Sequence, residues 1–307
     1  MIWYVVIIAA VVVVAALPFV IERLRPAVGA TARHGADGDF AQLSQGVTHY
    51  RWVGPVRGPV AVLIHGLASP SVAMEEVAEG LATMGYRVLM YDLYGRGLSD
   101  AVSGAQDRAF FLRQLTDLLV HQNADEELTL VGYSMGGSIA TAFAAENTHQ
   151  VKRLILLASA GVQTKESGFA RFCRTTPILG DWVHAMFAKR RIMNAIPKNT
   201  RRPSVQKVLM AQRQELHRRG YLPAILSSRR GMLAENHEAE HRKLGREDVP
   251  VVAIWAERDQ VIPISALGVL AQWNRAARQE VVDEAEHALP YSHDEQLITA
   301  LKTALRD

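Results

Sequence analysis

Five short stretches are apolar along nearly their whole length: "VAVLIHG" (60–66), "YRVLMYDL" (86–93), "LTLVGYS" (128–134), "VKRLILLAS" (151–159) and "VPVVAIWAE" (249–257). A strand with one wetted face alternates apolar and polar residues, so a strand that is apolar at almost every position must be covered on both faces. The sequence between the runs supplies the covering: helical patterns fall around 71–84, 106–122 and 135–147, and two more fit 264–276 and 292–306. Strands alternating with helices predict a doubly wound, mostly parallel α/β sheet. An alternating run, "VTHYRWVG" (47–54), predicts an early strand ahead of it. No internal repeat or low-complexity tract interrupts this order.

The alternation stops between Ser159 and Val249, where the composition is helical and arginines come in pairs, at 201–202, 218–219 and 229–230, with "KRR" at 189–191. This stretch predicts a helical cap, 160–247, inserted over the end of the sheet. It is also a basic island: Lys165 to Glu247 hold 18 Lys or Arg against 7 Asp or Glu, in a chain whose net charge is only +3. Aromatic residues are sparse within it and no nucleic-acid-binding fold is apparent, so anionic lipid head groups suit it better than nucleic acid.

Ile2 to Val20 carry no charge and would span about 28 Å as a helix, roughly one hydrocarbon thickness. Trp3 and Tyr4 suit the interface at one end, and Glu22, Arg23 and Arg25 the other. A cleaved signal peptide is the rival reading, with Val28-Gly29-Ala30 as its cleavage site, but no Lys or Arg precedes the apolar run. The organisation expected is a transmembrane anchor over 1–25, a linker over 26–44 and one α/β domain over 45–307. Because Arg23, Arg25 and Arg33 all follow the span, the positive-inside rule puts the domain in the cytoplasm. The single cysteine, Cys173, excludes an internal disulfide framework.

The third apolar run ends in Gly132-Tyr133-Ser134-Met135-Gly136, the pattern G-x-S-x-G, and "SIATAFAAE" continues as a helix. A serine at such a strand-to-helix turn adopts a strained backbone, and glycines two places to either side relieve the crowding. Ser134 is therefore the candidate nucleophile. A serine hydroxyl needs a positioned base, usually a histidine held by a carboxylate. Asp259 follows the last apolar strand, and His287 lies in a loop after a short strand. Each has a plainer reading: Asp259 as a helix N-cap, His287 as an ordinary loop histidine. Glu257 and His293 are their competitors, but Glu257 sits too near the strand and His293 opens the last helix. The order Ser134, Asp259, His287, each after a strand, favours a triad. The backbone N–H groups of Met135, after the nucleophile, and Leu67, in the loop that His65 and Gly66 shape, are the candidate oxyanion donors.

Together "VAVLIHGLASP", "YRVLMYDLYGRGLSD", "LVGYSMGGSIA", "VPVVAIWAERDQVIP" and "EAEHALP" resemble successive blocks of the α/β-hydrolase fold, over roughly residues 45 to 306. The resemblance is greatest to its monoacylglycerol-lipase-like and esterase-like branches. It implies a cofactor-free serine hydrolase that cleaves carboxylic esters, lipid-like ones included, through an acyl-enzyme. It also implies structural roles for Asp92, Arg96 and Asp100. Thioesterases, cofactor-free haloperoxidases and carbon–carbon bond hydrolases share the triad, whereas dehalogenases and epoxide hydrolases of this fold carry aspartate where Ser134 stands. A non-catalytic binding protein of the same fold would usually have lost a triad residue, and here all three positions are filled.

One competing motif is present. His237-Glu238-Ala239-Glu240-His241 matches the zinc-protease pattern H-E-x-x-H. Its surroundings, "LAENHEAEHRKLGRED", read as polar throughout and offer no third ligand, so no metal site is expected.

Overall fold

The computed structural model describes residues 1–197 and 200–305. Lys198, counted in the basic island, and Arg306 and Asp307, at the chain end, lie outside the described residues. The strands are β1 (Asp39–Gln42), β2 (Val47–Val53), β3 (Val60–Ile64), β4 (Arg87–Tyr91), β5 (Leu128–Tyr133), β6 (Val151–Leu157), β7 (Val251–Ala256) and β8 (Arg278–Val282). They form one sheet in the order β1-β2-β4-β3-β5-β6-β7-β8. The pairs β1–β2 and β2–β4 are antiparallel and the rest parallel. Every residue of β5 and of β7 is buried, as continuous apolar runs require.

The helices are α1 (Ile2–Leu24), α2 (Ala30–Arg33), α3 (Glu75–Thr83), α4 (Arg108–His121), α5 (Met135–Glu146), α6 (Gly168–Thr175), α7 (Leu179–Ala195), α8 (Pro203–Glu215), α9 (Tyr221–Arg230), α10 (Glu238–Arg246), α11 (Ala266–Trp273), α12 (Leu289–Ser292) and α13 (Asp294–Leu305). One face of the sheet packs on Phe111, Leu115 and Leu118 of α4, Ile139 and Phe143 of α5, Leu244 of α10 and Leu270 of α11. The other packs on Val77 and Leu81 of α3 and Leu297 and Leu301 of α13. After β3 the chain moves outward to β4, then crosses to the other side of β3 for β5. Such a switch opens a crevice at the carboxyl ends of the strands, where ligands of α/β sheets bind.

Helices α6 to α9 stand between β6 and β7 with a small core of their own, in which Leu209, Leu216, Tyr221 and Ile225 pack against Leu67 and Ala68 of the loop after β3. The insertion therefore lies over the crevice. It ends earlier than the 160–247 read from composition. Polar as it looks, α10 packs on α5 and α11 and buries His241 and Leu244, so it belongs to the layer that covers the sheet.

The segment 26–44 also departs from a free linker. It holds α2 and β1, and β1 pairs with β2 from Asp39↔Tyr50 to Gln42↔Val47. Arg33 donates to Leu98 O at 3.0 Å and pairs with Asp100 at 2.6 Å, stitching the segment to the turn after β4. Within that turn Asp92 accepts from His49 Nδ1 (2.7 Å), Ser71 N (2.8 Å) and Leu98 N (2.9 Å). Burial alone would raise its pKa, but the bond and charge of His49 outweigh that and hold the carboxyl well below the usual carboxylate range.

α1 has a mean hydropathy of 3.0 and by length and composition can cross a membrane. Of its residues only Pro18 is buried.

Candidate active site

Ser134 occupies the step from β5 to α5 with φ 52° and ψ −117°. A positive φ at a residue with a side chain costs on the order of 1–3 kcal/mol and persists only where its surroundings enforce it. Here they do: Ser134 N–H donates to Leu157 O, and its carbonyl accepts from Gly137 N and Ala160 N, all at 3.0 Å. The flanking glycines are obligatory. A Cβ on Gly132 would lie 2.4 Å from Gly136 O, and one on Gly136 only 2.0 Å from Ile64 O. The turn thus presses against the end of β3, which leaves the serine side chain 8% exposed at the crevice.

Asp259 lies just past β7. Its Oδ1 accepts from the backbone N–H groups of Val261 (2.7 Å) and Ile262 (2.8 Å), and its Oδ2 accepts from His287 Nδ1 at 2.7 Å. An ionised carboxylate only accepts, so Nδ1 carries the imidazole proton and Nε2 is left with a lone pair. That nitrogen is 3.0 Å from Ser134 Oγ. The phenol of Tyr133 donates to His287 O at 2.8 Å, and the two rings pack with centroids 5.3 Å apart. The competitors make other bonds: Glu257 accepts from Glu284 N, and His293 Nδ1 pairs with Ser292 Oγ.

The loop after β3 is built around a neutral imidazole. Leu93 N–H donates to His65 Nε2 at 2.9 Å, so the ring proton sits on Nδ1, which donates to Gly66 O at 2.8 Å. Burial pulls His65 down to about 4 and keeps it uncharged at neutral pH. Arg96, itself buried and pulled down to about 10, donates to Leu67 O at 3.1 Å. Met135 is the first residue of α5, where a backbone N–H has no partner within the helix. Among the described residues neither its amide nor that of Leu67 donates to a protein acceptor, which leaves both available to a ligand.

The insertion is fastened to these loops by side chains that, Arg96 apart, no sequence motif marks. Gln212 donates to Ser69 Oγ at 2.6 Å, and Tyr291, four residues after His287, packs with Ala73 and with Val208 of α8. Tyr221 donates to Ala68 O at 2.9 Å. Arg96 reaches Ser228 Oγ at 2.8 Å, so one guanidinium links the β4 turn, the β3 loop and α9. Glu215 accepts from Gly97 N (2.9 Å) and Arg218 (2.6 Å), yet burial raises it to about 7 against the arginine's charge.

His237 and His241 are both buried, although their neighbours in the sequence are polar. His241 stacks on Trp273 of α11 with centroids 6.1 Å apart, and burial pulls it down to about 3. Among the described residues no three His, Cys, Asp or Glu side chains are grouped to hold a metal ion.

The sheet order, the strained serine after β5 and the helical insertion between β6 and β7 make this chain an α/β-hydrolase of the serine type. The family described as Serine aminopeptidase, S33 matches residues 55–293, and the chain belongs to it. Pimeloyl-[acyl-carrier protein] methyl ester esterase of Chromobacterium violaceum is 31% identical over 265 residues, covering 80% of this chain and 93% of the esterase. Among solved structures, a bromoperoxidase from Bacillus anthracis superposes with a TM-score of 0.73 at 18% identity, covering 88% of this chain and 100% of that one. A thermophilic esterase from Thermogutta terrifontis gives 0.71 at 20% identity, covering 88% and 98%. The protein is an enzyme, a carboxylic ester hydrolase of serine type.

Proposed function

We propose that this protein hydrolyses lipid-like carboxylic esters, of monoacylglycerol or lysophospholipid type, at a membrane that α1 anchors it to, with Ser134, His287 and Asp259 as its catalytic triad. The observation that carries the chemistry is the hydrogen-bonded line from Ser134 Oγ through His287 to Asp259, at 3.0 and 2.7 Å. His287 Nε2 accepts the Ser134 proton as Oγ attacks the ester carbonyl carbon. The carbonyl oxygen gains the charge and takes hydrogen bonds from the Leu67 and Met135 amides, each worth on the order of 3 kcal/mol to the transition state. Collapse of this intermediate breaks the ester bond, and His287 hands its proton to the departing alcohol. Water, deprotonated by His287, then attacks the acyl-enzyme and frees the acid and Ser134. Asp259 holds the tautomer and stabilises the imidazolium throughout.

The lipid-like substrate is supported by α1 and by the basic insertion whose apolar core packs on Leu67 beside Ser134's crevice. The flanking arginines favour a cytoplasmic domain. The test is fluorophosphonate labelling of wild type and Ser134→Ala, followed by turnover of p-nitrophenyl esters of graded chain length, thioesters and aminoacyl anilides. Labelling lost with Ser134→Ala and a preference for long acyl esters support the reading. A preference for thioesters or aminoacyl anilides would replace the substrate and leave the triad standing.

A further inference from the structure

The indole of Trp182, on α7, donates to the backbone carbonyl of Val14, in α1, at 3.1 Å. Pro18 explains why that carbonyl is free: in a helix Val14 O would accept from the N–H four residues on, and proline has none. The cap helix thus fills a gap in the apolar helix, and Pro18 is the one residue of α1 that the contact buries. The end of α1 is fastened to the insertion as well. Glu22 accepts from Gly220 N at 2.7 Å, and Pro26 O accepts from Arg219 N at 2.9 Å.

Beside this junction the α6–α7 turn presents apolar side chains to solvent. Ile178 is 85% exposed and Leu179 54%, with Phe172 and Phe187 exposed on the flanking helices. The turn is held rigid. Ile178 has φ 65° and ψ −66°, an unfavourable backbone for a β-branched residue. Asp181 maintains it by accepting from Ile178 N (2.9 Å) while paired to Arg230 (2.7 Å). Arg171 on α6, and Arg190 about three turns along α7 from Leu179, stand exposed.

We propose that this turn is a lipid-embedded surface, inserted in the leaflet at which α1 ends and locked to the anchor through Trp182. The proposal rests on the reading of α1 as a membrane span. Val14 lies six residues before Val20, about 9 Å deeper along the helix axis, so a helix that reaches Val14 from outside the span must enter the bilayer. An exposed apolar tip with cationic flanks is the surface that such a position requires. The insertion that roofs the crevice is then seated in the leaflet, and an ester-bearing lipid can reach Ser134 without crossing bulk water.

The test uses the full chain in vesicles of phosphatidylcholine and phosphatidylglycerol with brominated acyl chains. An environment-sensitive fluorophore is placed at Ile178→Cys, at Val11→Cys in the middle of α1 and at Val56→Cys on a remote turn, each with Cys173→Ala. Quenching at position 178 close to that at 11, and about threefold or more above that at 56, is expected for a tip within the acyl region. Quenching at 11 with none above control at 178 overturns this inference and leaves the anchor intact. No quenching at either position overturns the anchor reading and the inference with it. Independently of labelling, Ile178→Asp in the otherwise native chain should keep turnover of a short water-soluble ester within about twofold and lose about tenfold on vesicle-embedded monoacylglycerol, because a carboxylate is costly in hydrocarbon. Equal activity on both substrates would refute the proposal.

Discussion

Replacing Asp259 by asparagine tests the site at one atom. Asp259 Oδ1 is held by two backbone donors, Val261 N and Ile262 N, at 2.7 and 2.8 Å. In the asparagine variant those donors require the carbonyl oxygen in that position, so the amide NH₂ must take the place of Oδ2 and face His287 Nδ1. Two donors cannot share a bond, and His287 must move its proton to Nε2. The nitrogen 3.0 Å from Ser134 Oγ then donates instead of accepting, and no base remains. The expected loss in kcat is about 10⁴. Stability should hardly change, because both backbone bonds survive and one charge-assisted bond becomes neutral, a cost of about 1 kcal/mol. Asp259→Ala should lose as much activity but also leave two amides unpaired, that of Ile262 buried, at about 1–3 kcal/mol each. Esterase kinetics on a short p-nitrophenyl ester and denaturant unfolding of both variants give the four numbers. Asp259→Asn with kcat within tenfold of wild type would refute the tautomer argument, and a large loss of stability in that variant would refute the assignment of the oxygen positions.

Three further outcomes follow from the geometry. Gly136→Ala should be destabilised by about 3 kcal/mol or more, or fail to fold, because its Cβ would sit 2.0 Å from Ile64 O in a strand that cannot retreat; a melting temperature within a few degrees of wild type would contradict this. Glu215, raised by burial to about 7, contributes stability that is fully present below its unfolded value near 4.5 and is lost as pH rises through about 7. Wild type should therefore weaken by about 2–3 kcal/mol relative to Glu215→Gln between pH 5 and pH 8, and parallel stability curves for the two would count against a buried neutral carboxyl. Chelation with EDTA should leave esterase turnover unchanged, and loss of activity restored by zinc would return His237 and His241 to the chemistry.

The sequence alone carried whatever depends on neighbours along the chain. Continuous apolar runs announce strands covered on both faces, because burial on two sides leaves no position for a polar residue. Ser134 was legible because a strained turn needs Gly132 and Gly136 at fixed spacing, and α1 because Ile2 to Val20 carry no charge over a length that, as a helix, can cross a membrane. Asp259 and His287 were legible as candidates by their order, but what separates Asp259 from Glu257 is a turn whose amides meet one carboxylate and miss the other. Tertiary structure alone decided the rest. β1 is four residues at a sheet edge, too short to show a period, and exists because β2 offers it a ladder. α10 reads as polar throughout yet turns one face inward, since its neighbours α5 and α11 cover the His241 and Leu244 that its own sequence leaves among charges. Tyr133 and Gln212 gain their roles from partners 154 and 143 residues away, and Trp182 from a carbonyl that Pro18 frees in a helix 168 residues earlier. Local spacing cannot encode such pairings, because each depends on how separate elements are turned toward one another once the core has closed.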